Sequence, residues 1–147
     1  MSSLMTEEPD FKLAGLSIWT MERQFPNLQD YWDGNWLRVR TVVEAPGCHL
    51  EAVGPYLRID ELAGFAEQLE RVDAELRGEA SLNCLEPTLR LNVRCELTGH
   101  VEVVVELTAD HMAQSHSVRF GLDQTYLKAA LRDCRSILQR FPIRGSR

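Results

Sequence analysis

The sequence predicts an α+β fold, a two-layer sandwich in which a curved, mainly antiparallel sheet of about six to seven strands carries two helices on one face. Three features of the chain indicate this fold. Apolar and polar residues alternate through several short runs, which is typical of half-buried strands. Two longer segments repeat apolar residues every three or four positions, as amphipathic helices do. Because the strands follow one another directly before each helix, we expect antiparallel neighbours.

The length of 147 residues is the usual size of one domain. We expect a disordered N-terminal tail over residues 1–10 and a single domain over residues 11–147. The tail has no basic region followed by an apolar one, so it does not resemble a secretion signal. No apolar run approaches the roughly 20 residues that span a bilayer. These features predict a cytoplasmic protein without membrane insertion.

The clearest strand pair lies in the middle of the chain. Apolar residues occupy every second position of Leu89–Leu97 and of Val101–Leu107. If Leu97 lies opposite Val101, the loop is the three residues 98–100, with Gly99 supplying the left-handed conformation. This register also predicts that Glu96 faces Glu102, a like-charge pair. The remaining strands are predicted at Lys12–Phe25, Asn35–Glu44, His49–Ile59, Glu79–Cys84 and Ser115–Leu122.

Two helices are predicted from their apolar stripes. Asp60 is placed to cap the first helix, whose inner stripe is Leu62, Phe65, Leu69, Val72 and Leu76, and Gly78 is placed to end it. Its outer face is acidic. Asp123 is placed to cap the second helix, which runs to Phe141 because Pro142 follows. Both stripes are interpreted as core packing.

No motif for catalysis, a metal or a cofactor is present. The chain lacks a glycine-rich phosphate loop, a Gly-x-Ser-x-Gly elbow and a His-Glu-x-x-His pair. The four cysteines, Cys48, Cys84, Cys95 and Cys134, lie far apart and are interpreted as reduced, mostly buried thiols. We therefore predict a protein that is not an enzyme, with no catalytic residues, no metal site and no cofactor.

Charge is distributed unevenly along the chain. Residues 1–122 carry 20 acidic and 10 basic side chains, whereas residues 123–147 carry 2 acidic and 6 basic ones. The formal net charge is −6. An acidic surface disfavours direct binding of nucleic acid and favours a cationic partner, because long-range potential steers encounter.

The segment from Phe25 to Leu37 holds two of the three tryptophans around a turn-forming Asp-Gly-Asn sequence. It has two interpretations. As structure, Tyr31 and Trp32 cover an open edge of the core and Trp36 begins a strand. As function, Tyr31 and Trp32 form an exposed anchor flanked by acids, the composition of an interface hot spot.

Several segments together resemble the WapI family of bacterial immunity proteins. They are Gln24-Phe25-Pro26, the motif from Asp30 to Leu37, Glu86-Pro87 before a strand, the run from Asp123 to Leu127, and the closing Phe141-Pro142-Ile143-Arg144-Gly145. The resemblance implies a small, non-enzymatic cytoplasmic protein that binds and neutralises the toxic tip of a contact-dependent toxin. In the best-known members that tip is a tRNA-cutting nuclease.

The expected partner is therefore a cognate toxin domain, a protein, and not nucleic acid or membrane. The candidate partner-binding residues are Asp30, Tyr31, Trp32, Asp33, Glu67, Glu70 and Asp73. The alternative hypothesis is a small-ligand or protein-binding regulatory module, which would need a concave apolar pocket. The oligomeric state, monomer or homodimer, stays open at this point.

Overall fold

The computed structural model describes residues 7–147, whose strands form two four-stranded antiparallel sheets. Within each sheet the strands lie side by side in chain order. The first sheet contains β1 (Phe11–Leu13), β2 (Leu16–Arg23), β3 (Trp36–Ala45) and β4 (Cys48–Arg58). The second contains β5 (Gly78–Asn83), β6 (Leu89–Cys95), β7 (His100–Leu107) and β8 (Ser117–Asp123).

A helix follows each sheet. The long helix α2 (Ile59–Glu75) comes after β4, and α3 (Leu127–Arg140) comes after β8 and a 3-10 turn, Gln124–Tyr126. A single helical turn, α1 (Tyr31–Gly34), lies between β2 and β3. The helix α2 packs on β5 and on α3, while α3 also packs on β1. None of the helices within residues 7–147 combines the length and the apolar composition that crossing a bilayer requires.

The α+β class is confirmed, but the prediction of one curved sheet of six to seven strands is wrong. The strands divide into two sheets of four, because β4 and β5 do not pair and α2 lies between them in the chain. Strands β3 and β4 contact β7, so the two sheets meet face to face. The alternation of apolar residues shows which side chains are buried; it does not show which strands are hydrogen-bonded neighbours.

One hydrophobic core joins both sheets and both long helices. The alternating residues of β6 and β7 all point into it, as predicted. The helical stripes are also buried, apart from Leu76, which is exposed, and Phe141, which is partly buried. The largest fully buried side chains are Phe11, Phe65, Leu16, Ile18, Leu37, Leu57, Ile59, Leu62, Leu69, Leu82, Leu89 and Leu91.

The predicted register of the central hairpin is wrong. Strand β6 ends at Cys95, which lies opposite Val101, and Leu97 is 80% exposed in the turn. Arg94 therefore faces Glu102, with the Arg94 Nη2 atom 3.5 Å from a Glu102 carboxylate oxygen. Turning two residues earlier replaces the like-charge pair of Glu96 and Glu102 with an opposite-charge pair. Gly99 has the predicted positive φ, at 89°.

The segment from Lys12 to Phe25, predicted as one strand, is divided into β1 and β2 by a tight turn at Ala14 and Gly15. A Cβ atom at Gly15 would lie 2.1 Å from the Glu44 carbonyl oxygen and 2.7 Å from the Phe120 ring. Only glycine fits this position, because the turn presses against both sheets. Of the expected tail, residues 1–6 lie outside the described residues, while Asp10 accepts hydrogen bonds from the backbone and side chain of Thr20.

The boundaries of the first long helix also differ from the prediction. The N-cap residue is Arg58 instead of Asp60, and the Glu61 carboxylate accepts a hydrogen bond of 3.0 Å from the Arg58 backbone N–H. At the other end Leu76 has a left-handed φ of 55° and is exposed, so it leaves the inner stripe before Gly78 is reached. The helix therefore begins two residues earlier than predicted, at Ile59.

Three of the four cysteines are buried, and Cys48 is half-buried at the start of β4. Burial raises the pKa of the Cys134 thiol to about 12 and also raises the pKa of Cys84 and Cys95. Since the thiolate is the reactive form, we expect one fast-reacting thiol in the folded protein, that of Cys48. Titration with a chromogenic disulfide at pH 8 would measure it. Two or more fast thiols, or a fast thiol that survives Cys48→Ser, would contradict this burial pattern.

Candidate partner-binding surface

The aromatic segment forms the connection between β2 and β3. The Asp30 side chain caps α1 by accepting a hydrogen bond of 2.9 Å from the Asp33 backbone N–H. Tyr31 and Trp32 then stack edge to face, with ring centroids 5.1 Å apart. The side chain of Asn35 is fully buried behind them. We call residues 30–36 the aromatic turn.

A buried arginine holds the aromatic turn to the body of the protein. Arg58, the last residue of β4, is 3% exposed. Its guanidinium donates hydrogen bonds to the carbonyl oxygens of Tyr31, at 2.8 Å, and Trp32. Its Nε atom donates to the Asp60 carboxylate at 2.9 Å. One charged group thus fixes the turn, the end of the first sheet and the start of α2.

The same guanidinium is surrounded by aromatic rings. Its central carbon lies 5.0 Å from the Trp36 ring centroid, 5.4 Å from that of Tyr31 and 5.7 Å from that of Trp32. Each distance is within the range of cation–π attraction. The Tyr31 hydroxyl donates to the Asp60 carboxylate at 3.0 Å, and burial together with that contact raises the pKa of Tyr31. The buried positive charge is therefore neutralised by Asp60 and by the ring faces.

The C-terminal segment closes over the turn from the other side. Asn35 donates to the Arg144 carbonyl at 3.0 Å and accepts from the Arg144 backbone N–H at 2.9 Å. The Arg144 side chain donates to the carbonyls of Pro26 and Leu28. Gly145, with a φ of 67°, lies so close that a Cβ atom there would be 2.7 Å from the Tyr31 nitrogen. The aromatic turn and the closing Phe141–Gly145 segment are therefore one structural unit.

Part of the aromatic turn stays accessible to solvent. The Trp32 side chain is 56% exposed, and both Asp30 and Asp33 are exposed beside it. The Arg147 guanidinium lies 5.8 Å from the Trp32 ring centroid. Because Arg58 fixes the Trp32 backbone, the turn presents a large aromatic side chain between two carboxylates at little cost in backbone entropy.

The three candidate acids of α2 have different environments. Glu70 forms an ion pair with Arg135, and Asp73 forms one with Lys128 at 3.0 Å, so both are neutralised by α3. Glu67 is exposed, and none of residues 7–147 forms an ion pair with it. Glu67 follows Asp60 by two helical turns, about 11 Å, on the side of α2 that begins under the aromatic turn. The seven candidate residues therefore do not form one continuous patch.

Clefts of the described chain lie both at and away from the aromatic turn, and one of about 210 Å³ is lined in part by Trp36. A mostly apolar cleft of about 460 Å³ runs between β1, β8 and α3 and is lined by Leu13, Ala14, Leu122, Tyr126 and Ala129, with Lys12 and Asp133 at its border. The alternative hypothesis of a small-ligand module would place its ligand here. Among residues 7–147, no three His, Cys, Asp or Glu side chains are grouped to hold a metal ion.

Comparison with known proteins identifies the family. A model of the immunity protein WapI-like family matches residues 8–142. The chain belongs to the WapI-like immunity protein family. No curated protein matches this WapI-like chain in sequence. The crystal structure of WHY1 from Arabidopsis thaliana resembles it with a TM-score of 0.50, over 87% of this chain and 78% of that chain, at 9% identity. At that identity the likeness shows the fold alone.

The residues that hold the aromatic turn of this WapI-like protein were not predicted. Arg23, which donates to the Gly34 carbonyl at 2.7 Å, and Arg58 are both buried, and neither was a candidate. A signal was present for Arg58, because it is the one charged residue between Tyr56 and Ile59 in an otherwise apolar run. A charge inside such a run indicates either a strand end or a buried ion pair.

The contacts of Arg58 give a stability prediction. Replacing Arg58 with lysine keeps the positive charge but removes the planar guanidinium, so the carbonyl oxygens of Tyr31 and Trp32 lose their hydrogen-bond donors. We expect the free energy of unfolding to fall by about 3 kcal/mol, measured by urea denaturation. The matched control is Arg38→Lys, whose half-buried guanidinium lies 3.4 Å from Glu22 and should cost less than about 1 kcal/mol. An equal loss of unfolding free energy in the two variants would show that the guanidinium of Arg58 has no special role in stability.

Proposed function

We propose that this protein is an immunity protein that binds and neutralises a cognate toxin domain of a contact-dependent bacterial toxin, and that it acts by occupying the toxin surface without catalysing a reaction. The observation that carries this proposal is the family match across residues 8–142. That family is one of immunity proteins, which fits a non-enzymatic role.

We further propose that the toxin domain is a nuclease. A nuclease must present cationic groups to bind a phosphate backbone. An acidic protein can occupy the same groups and associate quickly, because opposite potentials steer the encounter. This protein has a formal net charge of −6. Asp30, Asp33 and Glu67 supply exposed carboxylates that no cation of residues 7–147 neutralises.

The aromatic turn is the proposed centre of the contact. Interface hot spots are enriched in tryptophan, and a binding residue costs less to order when its backbone is already fixed. Trp32 meets both conditions, since its side chain is exposed while its carbonyl is bound by Arg58. Tyr31 and Asp30 hold this geometry. Glu70 and Asp73 should contribute less than Glu67, because their charges are already paired with α3.

The first test is Trp32→Ala. We expect the affinity for the toxin domain encoded immediately upstream to fall at least 30-fold, about 2 kcal/mol, measured by calorimetry. The free energy of unfolding should fall by only about 1 kcal/mol, because the variant loses one aromatic stack and two cation–π contacts, with Arg58 and Arg147.

Leu97→Ala is the matched control for this test, since Leu97 is equally apolar and even more exposed, at 80%, but lies in the β6–β7 turn. Its affinity should not change. Failure of the wild-type protein to bind the toxin domain would refute the proposed function. A folded Trp32→Ala variant that binds normally would remove only the aromatic turn from the contact.

A second test addresses charge. We expect Glu67→Lys to slow association about tenfold at low salt and to weaken the salt dependence of the rate, measured by stopped-flow fluorescence. The control is Glu75→Lys, which changes the net charge equally at the far end of the same helix and should have a much smaller effect. If both variants slow association to the same extent, overall charge and not this surface steers the encounter.

A further inference from the structure

The two sheets have four edge strands, β1, β4, β5 and β8, which differ in how their outward backbone groups are protected. At the edge of a sheet, alternate residues point their backbone N–H and C=O groups outward, where another strand can pair with them. Natural proteins block such edges with side chains, proline or packed elements. The hydrogen bonds between an edge strand and its neighbour show which residues bond inward, and the backbone groups of the alternate residues point outward. Each edge can therefore be examined for groups that cover these outward atoms.

Two edges are blocked by side chains from the long helices. On β5, the outward groups of Ser81 are both bound by the Gln68 side chain of α2, with Ser81 N donating at 3.0 Å and Ser81 O accepting at 3.4 Å. On β1, the outward Lys12 N–H donates at 3.1 Å to the Asp133 carboxylate of α3. Neither edge can accept a further strand without losing these contacts.

The edge of β4 is blocked by a proline. The Glu44 N–H donates to the carbonyl of Gly15, in the turn before β2, which sets the alternation through β3 and leaves His49, Glu51, Val53 and Pro55 pointing outward on β4. Pro55 has no N–H to donate, and the pairing of β4 with β3 is irregular at this point. Both features interrupt an incoming strand.

The edge of β8 has no such protection within the described chain. Gln124 N donates to Gly99 O at 3.1 Å, so Leu122, Phe120 and Val118 bond to β7. The outward residues are Ser117, Arg119, Gly121 and Asp123. No group of residues 7–147 hydrogen-bonds their outward backbone atoms, the strand contains no proline, and its register with β7 is unbroken.

We propose that β8 pairs antiparallel with β8 of a second copy of this chain, about a two-fold axis at Gly121, and that the two second sheets join into one of eight strands. The axis passes between the two Gly121 residues. Three outward residues of each copy, Arg119, Gly121 and Asp123, then exchange backbone hydrogen bonds across the axis.

Charge complementarity favours this occupant and this register. Arg119 and Asp123 lie two positions on either side of Gly121, so the pairing places Arg119 opposite Asp123 of the partner subunit, twice. The Arg119 side chain is 75% exposed, and its nearest ion-pair contact within the chain is Glu102 at 3.9 Å. A strand edge whose charges are opposite and symmetric about its centre is complementary to itself.

The core-facing side of β8 agrees with the same register. It places Phe120 opposite Leu122 of the partner subunit. Phe120 and Leu122 are only partly buried, whereas Val101 and Val103, their neighbours on β7, are completely buried. A second copy would cover the apolar side chains that the edge leaves open. Because the interface is one strand wide, we expect dissociation in the micromolar range.

The test uses two charge variants of the full chain. Arg119→Asp places like charges opposite each other in a self-pair, and so does Asp123→Arg. Sedimentation velocity should show wild-type protein shifting from one to two chain masses with rising concentration, and each variant weakened at least tenfold. An equimolar mixture of the two variants should restore the dimer, because each Asp then faces an Arg.

Arg90→Asp is the matched control, since Arg90 is exposed on the interior strand β6 and its variant should dimerise like the wild type. If Asp123→Arg is unfolded by circular dichroism, because Asp123 also caps the 3-10 turn, Gly121→Pro replaces it, removing one outward N–H. A wild type that stays monomeric at millimolar concentration overturns the proposal. So does an Arg119→Asp variant that dimerises normally, which would assign self-association to another surface.

Discussion

The rest of the structure depends on the burial of one guanidinium, that of Arg58. A lone buried charge would be unstable, so every part of this group is matched, by the carboxylate of Asp60, the carbonyls of the aromatic turn and three ring faces. Arg58 is both the end of β4 and the N-cap of α2. The position of the first sheet, the entry of the long helix and the presentation of Trp32 are therefore set by a single side chain.

The two halves of the chain share one plan, four strands followed by a helix, and they are interlocked through those helices. The helix that ends the first half, α2, binds the edge of β5 in the second sheet through Gln68. The helix that ends the second half, α3, binds the edge of β1 in the first sheet through Asp133. Each half therefore covers one sheet edge of the other half.

Much of this architecture could be predicted from local pattern. The alternation in β6 and β7 and the stripes of the long helices report burial directly, so the buried residues were correct except at the ends. The number of sheets was not predictable, because the pairing of strands that are distant in sequence produces no periodic pattern of apolar residues. The hairpin turns two residues earlier than predicted, which places Arg94 opposite Glu102, and the apolar alternation is the same in both registers. Arg58 was missed because a buried ion pair depends on partners that folding brings together, such as Tyr31.

The contact between Asn35 and Arg144 spans 109 residues of sequence. During synthesis, six further strands, β3 to β8, and both long helices are therefore made before the last contacts of the aromatic turn can form. Until then, Trp32 and its neighbours lack the segment that closes over them. The surface around Trp32 is thus completed late in synthesis. A nascent or truncated chain would have the first sheet without the contacts that hold the aromatic turn to the C-terminal segment.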